Sequence, residues 1–134
     1  MRSTLVDSNV LIDLFDEDSE WRAWSDAMVS DCGTRGELVI NPIIYAEVAA
    51  GFDTLEDVDE VLRPEFLRRE ALPWSAAFVA GHAFLRYRRL GGVRPSLLPD
   101  FYIGAHAAVA GYTLLTRDAR RYRYYFPTLR IIAP

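Results

Sequence analysis

Residues 3–15, STLVDSNVLIDLF, contain two short apolar segments that are separated by a few polar residues. Ser3–Val6 favours a short buried strand that ends at Asp7, and the apolar residues after Asn9 favour a short helix. Since Ser8 or Asn9 can cap that helix, Asp7 is left at the carboxyl end of the strand. A strand that passes directly into a helix is typical of an α/β domain.

The same alternation continues along the chain. Further strands are predicted at Glu37–Ile40, Thr113–Leu115 and Leu129–Ile132, and residues 66–72 are ambiguous but can hold a short strand. Further helices are predicted at Ser19–Val29, Pro42–Ala50, Leu55–Leu62, Ser75–Leu90, Pro99–Ala110 and Asp118–Tyr122, with a loop bracketed by Gly33 and Gly36. Because helices between strands permit parallel pairing, we expect one domain over residues 1–134, a three-layer α/β/α fold with a small, mainly parallel sheet. Ligands of such sheets bind beyond the carboxyl ends of the strands.

The composition of the 134 residues excludes several classes of protein. Apolar residues make up 51% and charged residues 25%, which suits a folded domain with a core. All 15 basic residues are Arg, so the chain lacks both the phosphate-binding Lys of a P-loop and the amine of a Schiff-base enzyme. The single Cys32 excludes an internal disulfide and a paired-cysteine zinc site. Asp7 and Asp13 interrupt any apolar core of a signal peptide, and no apolar run is long enough for a membrane span, so we expect a cytoplasmic protein.

Charge is divided unevenly between the two halves of the chain. Residues 1–67 hold 16 acids and 4 Arg, whereas residues 68–134 hold 3 acids and 11 Arg. The overall charge of −4 argues against a general polyanion binder, but the second half can contact phosphate groups locally. Arg without Lys suits bidentate contacts to phosphate oxygens.

Four acids stand apart from the solvated acidic runs. Asp7 and Asp118 follow predicted strands. Glu47 is a lone charge in an apolar helix, and Asp100 begins another apolar helix. Taken singly, helix capping or an exposed helix edge explains each of them. Taken together, they are expected to converge on one edge of the sheet, where their repulsion requires a cation such as Mg²⁺ or Mn²⁺. Such ions promote the in-line hydrolysis of phosphodiesters.

Four motifs in the chain resemble those of PIN-domain ribonucleases, in particular the VapC type found in toxin–antitoxin pairs. The motifs are LVDSNVLID at residues 5–13, YAEV at 45–48, PDFYIGAHA at 99–107 and LLTRD at 114–118. Each motif is weak alone, but their order and spacing cover nearly the whole chain. Ser8 stands where such toxins often have Thr, which keeps a hydroxyl group in place.

This resemblance implies a metal-dependent endoribonuclease in which a metal-activated water attacks the RNA phosphodiester without a covalent protein intermediate. The implied metal-binding carboxylates, with the fourth acid beside them, are Asp7, Glu47, Asp100 and Asp118. Asn9 and Thr116 match polar positions that orient a metal ligand, a water or a phosphate. The implied cofactor is Mg²⁺ or Mn²⁺, and the implied substrate is RNA, such as tRNA or another structured RNA. The implied partners are a second copy of the chain in a homodimer and a VapB-like antitoxin.

Side chains near the C-terminus are candidates for RNA contact, although a solvated helix end explains them equally well. They are Arg117, Arg120, Arg121 and Arg123, with Tyr122, Tyr124 and Tyr125 interleaved. His82 and His106 lie on apolar helices and are expected to pack there with a hydrogen bond rather than to catalyse. The aromatic residues expected in the core or in a dimer seam are Trp21, Trp24, Tyr45 and Phe52.

Three other functions share features with the nuclease. A phosphoryl-accepting receiver domain also gathers carboxylates at strand ends, but it needs a Lys that this chain lacks. A phosphatase of the haloacid-dehalogenase type needs a second Asp two residues after the first, where this chain has Asn9. A non-catalytic PIN-like module that binds RNA or protein is the main alternative, and the presence of all four acids argues against it.

Overall fold

A computed structural model describes residues 2–94 and 97–134. Its strands are β1 Thr4–Val6, β2 Leu38–Ile40, β3 Leu67–Arg69, β4 Thr113–Leu115 and β5 Ile131–Ile132. Its helices are α1 Ser8–Phe15, α2 Arg22–Arg35, α3 Pro42–Ala49, α4 Leu55–Val61, α5 Trp74–Arg89, α6 Leu98–Ala110 and α7 Arg120–Tyr125.

The five strands form one parallel sheet in the order β3-β2-β1-β4-β5. Thr4 of β1 lies opposite Leu38 of β2 on one side and Thr113 of β4 on the other. The predicted three-layer α/β/α architecture is therefore confirmed. Strands β2 and β3 lie on one side of β1, and β4 and β5 lie on its other side. The strand order therefore reverses between β1 and β4. The carboxyl ends of these two strands are where ligands of such a sheet bind.

The central strands are buried on both faces of the sheet. Leu5 in β1, Val39 in β2 and Leu114 in β4 are completely buried, as expected for a parallel sheet that is covered on both sides. Ile44 of α3 and Phe101 of α6 are buried in the same core. Burial of a side chain of this size contributes about 1.5–3 kcal/mol to folding.

Several expected boundaries are wrong, and two of them move residues that the sequence singles out. Helix α2 continues to Arg35, so Gly33 lies inside the helix and not in a loop. A Cβ at Gly33 would lie 3.6 Å from the side chain of Leu38, an ordinary van der Waals contact, so α2 passes this strand closely. Helix α7 begins at Arg120, so Asp118 precedes the helix instead of starting it.

The ambiguous segment 66–72 contains the edge strand β3. Two of its three residues are Arg, which hides the apolar signal of a strand. His82 on α5 is exposed and lies against Phe78, with ring centroids 4.4 Å apart and the rings tilted by 41°, so the expectation that it packs in the protein with a hydrogen bond is wrong.

The aromatic residues Trp24, Tyr45 and Phe52 pack partly buried against the core, as expected. The predicted end of α6 at Gly111 is confirmed, since this residue has φ of 74° and closes the helix in the left-handed conformation. Among the residues that the structure describes, none of the helices is both long and apolar enough to cross a membrane.

Candidate acidic site at the carboxyl edge of the sheet

Each of four neighbouring strands is followed directly by a polar residue. These residues are Asp7 after β1, Asn41 after β2, Glu70 after β3 and Thr116 after β4. Because the strands are parallel, all four lie at the same edge of the sheet. Their side chains divide into two networks, one around Asp7 and one around Glu70.

Asp7 is buried and is the N-cap residue of α1. Its Oδ1 accepts a hydrogen bond from the Ser8 N–H at 2.8 Å, so the expectation that Ser8 or Asn9 caps this helix is wrong. Its Oδ2 accepts from the hydroxyls of Thr116 at 2.8 Å and Tyr122 at 3.0 Å. Burial raises the pKa of Asp7 above its ordinary value, and these hydrogen bonds oppose the shift. The carboxylate is thus held in one orientation by donors from three parts of the chain.

Glu47 reaches the same place from α3. Its Oε1 accepts a hydrogen bond of 2.9 Å from the Ser8 hydroxyl, which lies 3.5 Å from Oδ1 of Asp7. Burial raises the pKa of the half-buried Glu47; the bond from Ser8 opposes this shift, and the charge of Asp7 adds to it. Ser8 therefore lies between two carboxylates.

Asp100 lies in the first turn of α6, with 34% of its side chain exposed. Burial raises the pKa of Asp100 from 3.8 to about 6, and the charges of Asp7, Glu47 and Asp118 add to the shift. Arg121 on α7 opposes it, with Nη1 at 3.2 Å from Oδ2 of Asp100. The four acids singled out from the sequence thus act on one another electrostatically, with Asp118 in an exposed position.

Asn9 and Thr116 connect α1 to the loop after β4. Asn9 Nδ2 donates to Thr116 Oγ1 at 3.3 Å, and Asn9 Oδ1 accepts from the Arg117 N–H at 3.1 Å. The Thr116 hydroxyl, which donates to Asp7, also accepts from the Asp118 N–H at 3.2 Å. Both side chains therefore position this loop beside the carboxylates.

Asp13 on α1 is a further buried acid, which the sequence patterns above do not single out. It accepts hydrogen bonds from the hydroxyls of Ser19 at 2.9 Å and Ser25 at 2.6 Å. Nε of Arg117 lies 2.7 Å from Oδ2 of Asp13, and the guanidinium lies 5.9 Å from the centre of the Trp21 ring. Arg117 is thus engaged in an ion pair with a buried acid, and 30% of its side chain remains exposed.

The other candidates for RNA contact lie on different sides of α7. Arg120, Arg123 and Tyr124 are exposed and line a shallow groove of about 550 Å³ that also includes Asp118. Tyr122 is buried with its hydroxyl group on Asp7, so the prediction that it contacts RNA is wrong.

Close packing of α7 on α6 brings Tyr122 to Asp7. A Cβ at Gly104 would lie 2.4 Å from the ring of Phe126 and 3.0 Å from the ring of Tyr122. Glycine at this position permits the approach without displacing either ring. Since Gly104 follows Asp100 by one turn of α6, the same contact holds α7 close to both carboxylates.

The donors of this site fit a hard divalent cation by their chemistry. Asp7, Glu47 and Asp100 supply carboxylate oxygens. Burial raises the pKa of Asp100 most, and the charges of Asp7 and Glu47 add to the shift; a bound cation relieves both effects. The carboxylates are not gathered around one point, because within residues 2–94 and 97–134 no three His, Cys, Asp or Glu side chains are placed to hold one ion. Hydrogen-bond donors of the protein itself contact oxygens of Asp7, Glu47 and Asp100.

The second network surrounds Glu70. Its Oε1 accepts hydrogen bonds from Tyr112 at 2.7 Å and Arg68 at 2.8 Å, and its Oε2 lies 2.6 Å from Nε2 of His106. Because Nδ1 of His106 faces the amide donor of Asn41 at 3.0 Å, Nε2 carries the proton and donates to Glu70. Burial raises the pKa of Glu70, but these three donors together lower it to about 2. The expectation that His106 packs in the core with hydrogen bonds is confirmed.

Comparison with known proteins reveals both a family and several similar folds. A family model described as the PIN domain matches residues 4–127. A chain of VapBC2 from Rickettsia felis, bound to a promoter DNA fragment, has a TM-score of 0.76 and 15% identity, with 98% of each chain covered. A chain of VapBC-1 from nontypeable Haemophilus influenzae has a TM-score of 0.73 and 17% identity, covering 98% of this chain and 97% of that one.

A chain of DNA-bound VapBC from Salmonella typhimurium has a TM-score of 0.68 and 23% identity, covering 99% of this chain and 98% of that one. Because these sequence identities are 15–23%, the structural similarity shows that the folds are alike and nothing more. No curated protein matches the chain in sequence.

Proposed function

The chain belongs to the PIN-domain family, and we propose that it is a divalent-metal-dependent endoribonuclease, the toxin of a toxin–antitoxin pair. One observation carries the proposal: four acids accumulate beside the ends of β1 and β4, and burial together with the charges of the other three raises the pKa of Asp100 to about 6. Mutual repulsion of this kind opposes folding, and perturbed carboxylates in such a position are typical of functional sites.

In this function Asp7, Glu47 and Asp100 hold the metal, with Asp118 at the exposed side of the site. Bound Mg²⁺ or Mn²⁺ supplies a water of lowered pKa and neutralises charge on the phosphate. Thr116 orients the carboxylate of Asp7 through its hydroxyl. Asn9 holds the loop that carries Asp118. The hydrolysis involves no covalent bond between RNA and protein.

RNA approaches along the groove beside Asp118. The exposed guanidinium groups of Arg120 and Arg123 supply phosphate contacts, and Tyr124 supplies an aromatic face for a base. Arg117 contributes to the position of the loop through its ion pair with Asp13, and the exposed part of its guanidinium adds to the phosphate contacts. The substrate class is structured RNA such as tRNA, so the protein acts in the cytoplasm.

Two protein partners complete the proposal. The likeness to chains of VapBC complexes supports a VapB-like antitoxin. A stripe of exposed apolar side chains on α5 supports a homodimer: Trp74 is 90% exposed, Phe78 68% and Leu85 42%. Sedimentation of the wild type and of the Trp74→Ala variant tests the homodimer. The substitution is expected to shift the equilibrium from dimer towards monomer.

A non-catalytic PIN-like module is the second candidate. It is favoured by the open arrangement of the carboxylates, since in the described part of the chain no three of them are placed to hold one ion. Such a module binds RNA with or without a divalent cation and leaves it intact.

Cleavage of RNA with and without a chelator distinguishes the two candidates. The purified chain is incubated with end-labelled tRNA and with an unstructured oligoribonucleotide in Mg²⁺ or Mn²⁺, with EDTA in a parallel series. Asp7→Asn and Asp100→Asn are compared with Asp16→Asn, which removes an exposed acid outside the site and changes the net charge equally. We expect cleavage by the wild type and Asp16→Asn that EDTA abolishes. Cleavage that persists in EDTA or in both site variants contradicts the metal-carboxylate mechanism, and RNA binding without any cleavage favours the second candidate.

A further inference from the structure

Arg121 is the cationic side chain that meets the acids of the candidate site. Its Nη1 lies 3.2 Å from Oδ2 of Asp100. Within the described residues this is the one ion pair made by any of the four acids, because Asp7, Glu47 and Asp118 form none. The site therefore carries a surplus of negative charge, and Arg121 is the guanidinium that is ion-paired with it.

The contact between Arg121 and Asp100 is suited to exchange. It consists of one nitrogen–oxygen contact, and the two side chains are 29% and 34% exposed. Exposed pairs of this kind contribute little to stability and are easily replaced by solvent or ions. The pair of Arg117 with Asp13 differs, because Asp13 is only 3% exposed and is also held by two serine hydroxyls.

Helix α7 keeps Arg121 near the site when the contact is broken. The next residue, Tyr122, is buried and bonded to Asp7, and its ring packs on Gly104 of α6. The backbone of Arg121 is thereby fixed at the border of the site, while its side chain can turn outward.

We propose that Arg121 is an exchangeable counter-ion that competes with a divalent cation for Asp100. The inference rests on the proposed function, since it takes the acidic site to be the metal site. In the metal-free protein the guanidinium screens Asp100 from the charges of Asp7 and Glu47. A cation that binds Asp100 displaces the guanidinium, because two positive charges at one carboxylate repel each other. Arg121 thus sets the metal concentration at which the site fills.

Calorimetric titration of the whole chain with Mn²⁺, in the absence of RNA, tests this competition. Arg121→Ala is compared with the wild type and with Arg89→Ala, a control that removes the same charge from an exposed position on α5, outside the acidic site and the proposed RNA groove. We expect Arg121→Ala to lower the Kd for Mn²⁺ by about 5-fold, the effect of losing one partly exposed ion pair, and Arg89→Ala to change it by less than about 2-fold. Asp100→Asn is expected to abolish this binding event.

The outcomes separate the inference from the proposed function. Tighter binding by Arg121→Ala than by Arg89→Ala supports the competition. Equal Kd values for the two variants, or weaker binding by Arg121→Ala, overturn the role of Arg121 and leave the metal site intact if Asp100→Asn still abolishes binding. Absence of Mn²⁺ binding in the wild type and in every variant overturns both. Arg121→Gln, which keeps most of the side chain, replaces Arg121→Ala if circular dichroism shows that the alanine variant is unfolded.

Discussion

The two polar networks at the carboxyl edge of the sheet contain similar residues but have opposite charge balance. Around Glu70, donors from Arg68, Tyr112 and His106 occupy both carboxylate oxygens and lower its pKa to about 2. Around Asp100, burial and neighbouring carboxylates raise its pKa to about 6, and one partly exposed Arg121 opposes them. The first network favours the charged carboxylate, and the second disfavours it.

This difference separates a stabilising network from a candidate functional one. A carboxylate whose pKa falls on folding stabilises the protein at neutral pH, whereas one whose pKa rises destabilises it. Residue type and position after a strand do not distinguish the two, since Asp7 and Glu70 both follow strands directly. The groups around each carboxylate distinguish the two networks. Three hydrogen-bond donors surround Glu70, whereas the charges of three other acids act on Asp100.

The largest expected effect is on RNA cleavage. Asp100→Asn removes a proposed metal ligand and is expected to lower kcat/KM by about 100-fold or more. Glu70→Gln, the matched change in the other network, is expected to stay within a few-fold of the wild type at a temperature where both are folded. Single-turnover and steady-state rates on one RNA measure both variants. A loss in Glu70→Gln as large as that in Asp100→Asn would remove the functional distinction between the networks.

The next effect is on stability and belongs to Glu70. Glu70→Gln weakens the acceptor of three hydrogen bonds and is expected to lower the free energy of unfolding by about 2 kcal/mol at pH 7. Because folding lowers the pKa of Glu70 from 4.5 to about 2, its contribution is complete above pH 4.5 and is lost as pH falls towards 2. Urea unfolding from pH 7 to pH 2 measures this. The exposed Glu65→Gln is the control, and a Glu70→Gln difference that does not shrink in acid contradicts the assignment.

A smaller effect of opposite sign is expected at Asp100 in metal-free protein. Folding raises the pKa of Asp100 from 3.8 to about 6, so its charge destabilises the protein increasingly as pH rises between these values. After allowance for its partial exposure, Asp100→Asn is expected to raise the free energy of unfolding by about 1 kcal/mol at pH 7 and to have little effect below pH 3.8. Urea unfolding in EDTA, with the exposed Asp53→Asn as control, measures the difference. A destabilised Asp100→Asn would show that the carboxylate is held by favourable contacts like those of Glu70.

The smallest effect is expected at the hydroxyl of Tyr122. Tyr122→Phe removes one of the donors to Asp7 while the ring stays packed on Gly104, and it is expected to lower the free energy of unfolding by about 0.5–1 kcal/mol. Tyr124→Phe alters an exposed hydroxyl on the same helix and serves as the control. Thermal unfolding of the two variants compares them, and equal midpoints would mean that the bond to Asp7 contributes nothing.

The sequence predicts the framework and the four acids because these depend on strong local patterns. Short apolar runs define the central strands, and the parallel topology brings Asp7 to the edge where Glu47 and Asp100 lie. The edge strand β3 is ambiguous in sequence because two of its three residues are Arg. No local pattern therefore singles out Glu70, the residue that follows β3, so the network around it is not predicted.

The contacts of α7 cannot be predicted from the sequence, for a different reason. The helix has six residues, all Arg or Tyr, and no apolar periodicity that assigns one face to the core. Tyr122 and Arg121 meet Asp7 and Asp100 because α7 packs closely on Gly104, which is a tertiary contact. Arg117 likewise pairs with Asp13 across the fold, from 104 positions away in the chain.

The position of bound Mn²⁺ tests the contrast between the two networks most directly. Crystals of the chain soaked in Mn²⁺ and measured at a wavelength where manganese scatters anomalously locate the ion independently of activity. We expect an anomalous peak among the carboxylates of Asp7, Glu47 and Asp100, and none at Glu70. A peak at Glu70, or peaks only at the exposed acids of residues 16–18, would contradict the assignment of the acidic site as the metal site.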